Sequence, residues 1–322
     1  MQIIYTKYNF NILYMRILVI IFLLLVTYGY AQIETIKINK PIIEESTYDG
    51  SKNFVAEKAN FYLGEDLYLI GKSQSLQKWG YSDFYESLKS SNPYKCCSES
   101  SPYNSNYDLL FGKYFSVIDV IPNDLTQKYP SIYSEYFFKL LEKETMDTLY
   151  YKYNGKFEHN FPFIVLKHFN YIKDKHINKT YIFGTTFLRD NFDLNQNKLK
   201  PKIGEKWIVE DLIIEEENFK LVFVISNSSG IKTIVDYSVF EYNDINKPVL
   251  SLSEYNKYKN KFGEKNWNLI FEEGEIRIGF TEEMCRFAWG EPLKINKASY
   301  GDQWVYDDNY LYFKNGKLTG YN

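Results

Sequence analysis

His159, His168 and His176 are the histidines of this 322-residue chain, and histidine is the side chain best suited to move a proton or bind a metal near neutral pH. Their gaps of nine and eight residues match no His-x-x-x-His ligand pair, and Asn and Lys rather than carboxylates surround them. No Gly-x-Ser-x-Gly elbow, phosphate-cradling glycine loop or paired-glycine dinucleotide motif occurs. Asp119 and Asp211 fall at equivalent places in two similar segments, which invites a metal or acid–base reading. No second acidic or histidine ligand keeps a matching offset, so an aspartate that accepts from a neighbouring backbone amide is the simpler role. Glu215-Glu216-Glu217 fits a solvated hairpin turn, and Asp307-x-Asn309 lacks the Gly and distal Glu of a calcium loop. A hydrolase built on a dispersed carboxylate pair leaves no local signature. No catalytic, cofactor-binding or metal-binding residue is assigned, and catalysis is not expected.

Cysteine chemistry is equally sparse. Cys96 and Cys97 are adjacent in a Ser/Pro/Asn/Tyr-rich stretch, and Cys285 stands alone. Three cysteines cannot all pair within one molecule, and a vicinal bridge is strained, so no disulfide framework is expected. Cys285 precedes Trp289 by four residues on a predicted helix and reads as a small buried hydrophobe.

The first residues read as a targeting signal rather than as fold. Met15-Arg16 supplies a short positive region, Ile17 to Val26 is uncharged and apolar, and Gly29 and Ala31 give the small-residue pattern that signal peptidase accepts. The expectation is a signal peptide over 1–31, with Met15 as a start that explains the polar, aromatic stretch before it, and cleavage before Gln32. Ten apolar residues make about 15 Å of helix, short of a hydrocarbon core of about 30 Å. No Cys follows for lipid attachment. The mature protein should therefore have no stable membrane span and be periplasmic or secreted. Losing Lys7 and Arg16 takes the formal net charge from −3 to −5, which argues against nucleic-acid binding. Aromatic residues reach 19%, with 31 Tyr and 24 Phe. They suit a glycan-stacking surface, but AT-rich codon usage and ordinary pleated sheets explain them as well.

The elements that must position these groups are mostly strands. The expected fold is mainly β: two small β-barrel or sandwich-like repeats, then a small α+β domain. The modules are 32–158, with a long insertion at 73–106 and one short helix near Asp83–Lys89, then 159–243 and 244–322. The repeat rests on Gly112 to Ile121 against Gly204 to Ile213, with Phe138-Lys139-Leu140 answering Phe219-Lys220-Leu221 and Tyr62-Leu63-Gly64 echoed in Ile182-Phe183-Gly184. Alternation puts Phe115, Val117, Asp119 and Ile121 on one face, and likewise Trp207, Val209, Asp211 and Ile213. Ser251-Leu252-Ser253-Glu254 has capping-box spacing for a helix that stops at Gly263.

From Gly274 onward the pattern sharpens. Ile276 to Phe280 is a predicted strand ending near Gly279, and Thr281 caps a helix that Gly290 and Pro292 end. Strands follow at Gln303-Trp304-Val305-Tyr306, Tyr310 to Phe313 and Lys317 to Gly320, with an Asn-Gly turn before the last. A helix on a three-stranded antiparallel meander results. In the order of Ile276/Gly279, Thr281, Gly290-Glu291-Pro292, Trp304-Val305-Tyr306 and Tyr310 to Lys317, with Phe313 and Gly316 in the last element, this segment resembles the SmpA/OmlA (BamE-like) domain. The resemblance implies an envelope interaction module, whose best-known members are small lipoproteins assisting assembly of outer-membrane barrels. Trp304, Tyr306 and Phe313 are expected to pack in the core rather than to touch a partner. The function expected is an exported or periplasmic adaptor that binds an envelope or secreted protein. A glycan-binding or glycan-processing accessory protein that meets polysaccharide through 73–106 is the alternative.

Overall fold

The computed structural model describes residues 47–322 except 57 and 130–133; the expected leader and the Gln32 cleavage site lie outside them. Three antiparallel sheets carry the chain. The first is built from β1 (Asp66–Leu69), β2 (Phe84–Tyr85), β3 (Tyr114–Pro122), β4 (Glu135–Glu142), β5 (Thr148–Asn154) and β6 (Phe163–Val165), in the order β2-β5-β4-β3-β1-β6. Helix α1 (Leu166–His176) leads into the second sheet, of β7 (Thr180–Phe183), β8 (Lys206–Ile214), β9 (Leu221–Asn227), β10 (Lys232–Asp236) and β11 (Val249–Ser251), in the order β10-β9-β8-β7-β11. Helices α2 (Leu252–Phe262) and α3 (Glu282–Trp289) precede the third, β12 (Lys294–Ala298), β13 (Gly301–Val305), β14 (Tyr310–Lys314) and β15 (Lys317–Tyr321), a simple meander. The fold is mainly β, as expected, but the sheets are open and none closes into a barrel. β6 completes the first sheet although it lies beyond 159, and β11 completes the second although it lies beyond 244.

The two similar strands do not alternate as the sequence suggests. In β3, Ile118 is an extra residue between Val117 and Asp119, and in β8 Glu210 is the extra residue between Val209 and Asp211. Each is a β-bulge, and one added residue moves everything after it to the other face. Phe115 and Val117 are buried, but Asp119 is exposed and Val120 turns inward; Trp207, Val209 and Leu212 are buried while Ile213 is out. At each bulge the aspartate Oδ1 accepts from the next amide, Val120 at 2.8 Å and Leu212 at 2.9 Å. The other proposed matches fail by register: Phe138 lies inside β4 opposite Val120, where β9 has Phe223 opposite Leu212. Phe219 precedes β9, and Tyr62 sits in a 3-10 turn (Ala59–Tyr62) rather than a strand.

The insertion is ordered, with a short helix at Gln74–Gln77 and β2 where a helix near 83–89 was expected. Its rings build the first core. Tyr81 and Phe84 are buried, Tyr81 stacks on Tyr107, and Phe84 meets Tyr151 and Phe163. Each such ring pair adds about 0.5–1.5 kcal/mol beyond its buried area.

Candidate functional site

The C-terminal segment supplies the best-defined candidate surface, and its motif residues explain how it is held. Thr281 Oγ1 accepts from the Met284 amide and starts α3; Gly290, at positive φ, ends it, with Pro292 two residues on. Trp304 on β13 is buried against Phe313 on β14, ring centroids 4.5 Å apart, and the Arg286 guanidinium lies 4.3 Å above it. Tyr306 donates to the Gly290 carbonyl at 3.0 Å, tying the strand end to the helix end, and burial pushes its hydroxyl up to about 12. Cys285 is buried, and its thiol is likewise pushed up to about 12 by burial. Gly316 and Asn315 take positive φ in the β14–β15 turn, as an Asn-Gly hairpin requires. Trp304 and Phe313 thus face the core, and Tyr306 is part-buried beside Trp289.

Two details differ from expectation. The meander has four strands rather than three, because Lys294–Ala298 pairs along β13. Gly301 allows this turn: a Cβ there would sit 2.4 Å from the Phe313 carbonyl oxygen, and its φ is +147°. Ile276–Phe280 is not a strand. Phe280 closes a turn on Arg277, and contact with β15 is limited to Gly279 and Phe280 bonding Leu318 and a bridge from Thr281 to Lys317.

Those contacts cover the outer side of β15. Leu194 and Asp193 cover that of β10, and the Asn53 side chain that of β6; β2 has two residues, and β11 is mostly buried. Among the described residues, β12 is the edge strand left both long and uncovered, flanked by Leu293 and Tyr300 at 73% and 82% exposure. Lysines at 294 and 297 are the usual guard of such an edge. A two-residue loop joins Ala298 to Gly301, which makes them a hydrogen-bonded pair, so the amides of Ile295 and Lys297 point away from β13. The sheet's outer face carries a polar ladder: Asn296 donates to Gln303, Gln303 to the Tyr312 hydroxyl, and Thr319 to the Tyr312 carbonyl, around a depression of about 400 Å³.

The chemistry-bearing residues singled out elsewhere do not converge. His159 is exposed beside Phe157, whereas His168 and His176 are buried on α1. His176 Nδ1 meets the Tyr181 hydroxyl at 2.7 Å and Nε2 meets Glu241 at 3.3 Å, while Lys175 also holds Glu241. Asp119 and Asp211 lie on different sheets; Lys173 pairs with Asp211 at 2.7 Å and holds its carboxyl below the usual range. Glu215 receives the Glu217 and Asn218 amides, the expected turn. Cys96 and Cys97 are joined to each other, exposed at the surface. Among the described residues no three His, Cys, Asp or Glu side chains are grouped to hold a metal ion.

Sequence reasoning missed two buried carboxylates. Glu142 takes Tyr94 and Lys95, at 2.9 and 2.7 Å, and so staples the insertion to β4. Glu272, in a π turn (Leu269–Glu273), accepts the Thr185 amide at 2.7 Å and joins the second sheet to the C-terminal core. Burial raises its carboxyl above the ordinary value. No local pattern marks either, since each partner is distant in sequence.

Compared with protein-family models, curated proteins and solved structures, the chain shows no match. Among the described residues no helix is long and apolar enough to cross a membrane.

Proposed function

We propose that this chain is an exported, non-catalytic interaction protein, periplasmic or secreted, which takes an extended segment of an envelope or secreted protein onto β12. The observation that carries the reading is the open five-residue edge with two outward amides and an exposed apolar residue at each end. Strand addition draws affinity from backbone hydrogen bonds and specificity from alternate side chains, and such an edge supplies both. The reading of the C-terminal segment as SmpA/OmlA-like is supported by a helix followed by an antiparallel meander, although β12 is added and Ile276–Phe280 is not a strand. The first two sheets are read as copies of one β unit, with the shared bulge and its aspartate as the mark of the repeat.

Polysaccharide is the second reading, and it rests on Trp79 and Tyr103, the large rings that the insertion leaves exposed. Quenching or shift of tryptophan emission by cell-wall polysaccharide would support it.

Cross-linked capture from envelope extracts with the full mature chain tests the first reading. Lys297→Pro removes an outward amide and no bond to β13, so the fold should persist while a captured protein is lost. Undiminished capture by the proline variant would remove β12 from the account.

A further inference from the structure

We propose that the strap Tyr48–Asn53 is an acid-released cover over the outer edge of β6, with His168 as its catch. The cover is built from one side chain. Asn53 Nδ2 donates to the Phe163 carbonyl at 2.7 Å and its Oδ1 accepts the Val165 amide at 2.8 Å, so the carboxamide stands where a neighbouring strand would be. Phe163, Ile164 and Val165 are all buried, and a buried strand must have its polar backbone satisfied.

The catch lies just upstream. His168 Nδ1 meets the Gly50 carbonyl at 2.8 Å, which makes Nδ1 the protonated nitrogen of a neutral ring; Nε2 is buried and has no partner. Gly50 fits because it has no side chain: a Cβ would lie 2.9 Å from the Lys167 carbonyl oxygen. A second proton on Nε2 would place an N–H and a charge where no acceptor stands, the costliest kind of buried polar group.

The surrounding charges do not offset this. The strap presents Tyr48 and Asp49, and the Asp49 carboxylate is engaged with the Ser51 amide. On α1 itself, Lys167 lies over the Tyr48 ring and reaches Glu65. From the 3-10 turn Tyr237–Glu241, the Tyr237 ring lies T-shaped to the imidazole, and Glu241 is shared by Lys175 and His176. Burial outweighs Gly50 and Glu241 and holds the His168 ring below its ordinary value. Acid therefore charges the ring at the expense of its folded seat. The charged ring still donates from Nδ1 to Gly50, so release comes when the buried ring leaves its seat for solvent. The Tyr62 hydroxyl on the Asn53 carbonyl and the carboxamide's own two bonds then hold the strap, and the β6 edge opens when these yield.

Hydrogen exchange of the full mature chain at about pH 7.5 and about pH 5, corrected for intrinsic rates, tests this. The Val165 amide and the strap should exchange faster in acid, by up to about tenfold for each pH unit between the ring's ordinary value and its lower folded value, and no further below that. In His168→Gln the carboxamide can still donate to Gly50 and does not titrate, so protection should be equal at both pH values. His176→Gln should keep the acid response. Protection that is unchanged by acid in the unmodified chain overturns the proposal, as does a response that survives His168→Gln or disappears only in His176→Gln. Should His168→Gln not fold, NMR titration of the His168 ring decides: it must titrate together with strap exchange, and a ring that titrates under a closed strap overturns the proposal.

Discussion

β6 and β12 are both edge strands, and the chain treats them oppositely. All three residues of β6 are buried, so water cannot serve its outer backbone groups, and a side-chain amide and a strap do so instead. The residues of β12 are exposed or half-buried, water satisfies the free side, and two lysines are its guard. An edge beside a core must be sealed for the sheet to exist, whereas an edge in solvent can be left open, and openness is then available for binding.

The largest expected effect separates the two edges. Trp304→Ala removes a fully buried ring packed on Phe313 beneath β13, which should cost roughly 3–5 kcal/mol. Thermal or denaturant melts should show that loss, with protection falling in β12 to β15 while Val165 stays protected. Equal loss at both edges would mean that the sheets do not behave as separate neighbours. A smaller effect sharpens the acid response. The folded values of His168 and His176 lie below 6.5, so the unfolded chain binds more protons in that window and stability is lost as pH falls through it. Glu272 has the opposite sign. Its folded value lies above 4.5, so the folded chain binds more protons and stability falls as pH rises from there. Glu272→Gln should therefore flatten the acid-side profile and stabilise the joint at neutral pH, read as a higher melting temperature. An unchanged profile would show that this carboxyl is not buried in solution.

Local chemistry was the legible part. The capping box at Ser251, the N-cap at Thr281, the stop at Gly263, the Asn-Gly turn and the burial of Trp304 and Phe313 all depend on residues within a few positions of each other. The bulges in the similar segments Gly112 to Ile121 and Gly204 to Ile213 were not legible, because an extra residue is defined by the partner strand. β12 went unread since Lys-Ile-Asn-Lys-Ala has one β-branched residue and scant alternation; β13 and Gly301 make it a strand. The strap escaped for the same reason. Asn53 and Val165 are 112 residues apart, and His168 and Gly50 are 118 apart.

The proposed strand addition can be read amide by amide. With a captured partner bound to the full mature chain, hydrogen exchange followed by NMR should show new protection at the Ile295 and Lys297 amides. The amides of Lys294, Asn296 and Ala298 already bond β13 and should change little. Protection confined to the Gln303–Tyr312–Thr319 face or to the 73–106 insertion, with Ile295 and Lys297 exchanging as in the free chain, would contradict the account.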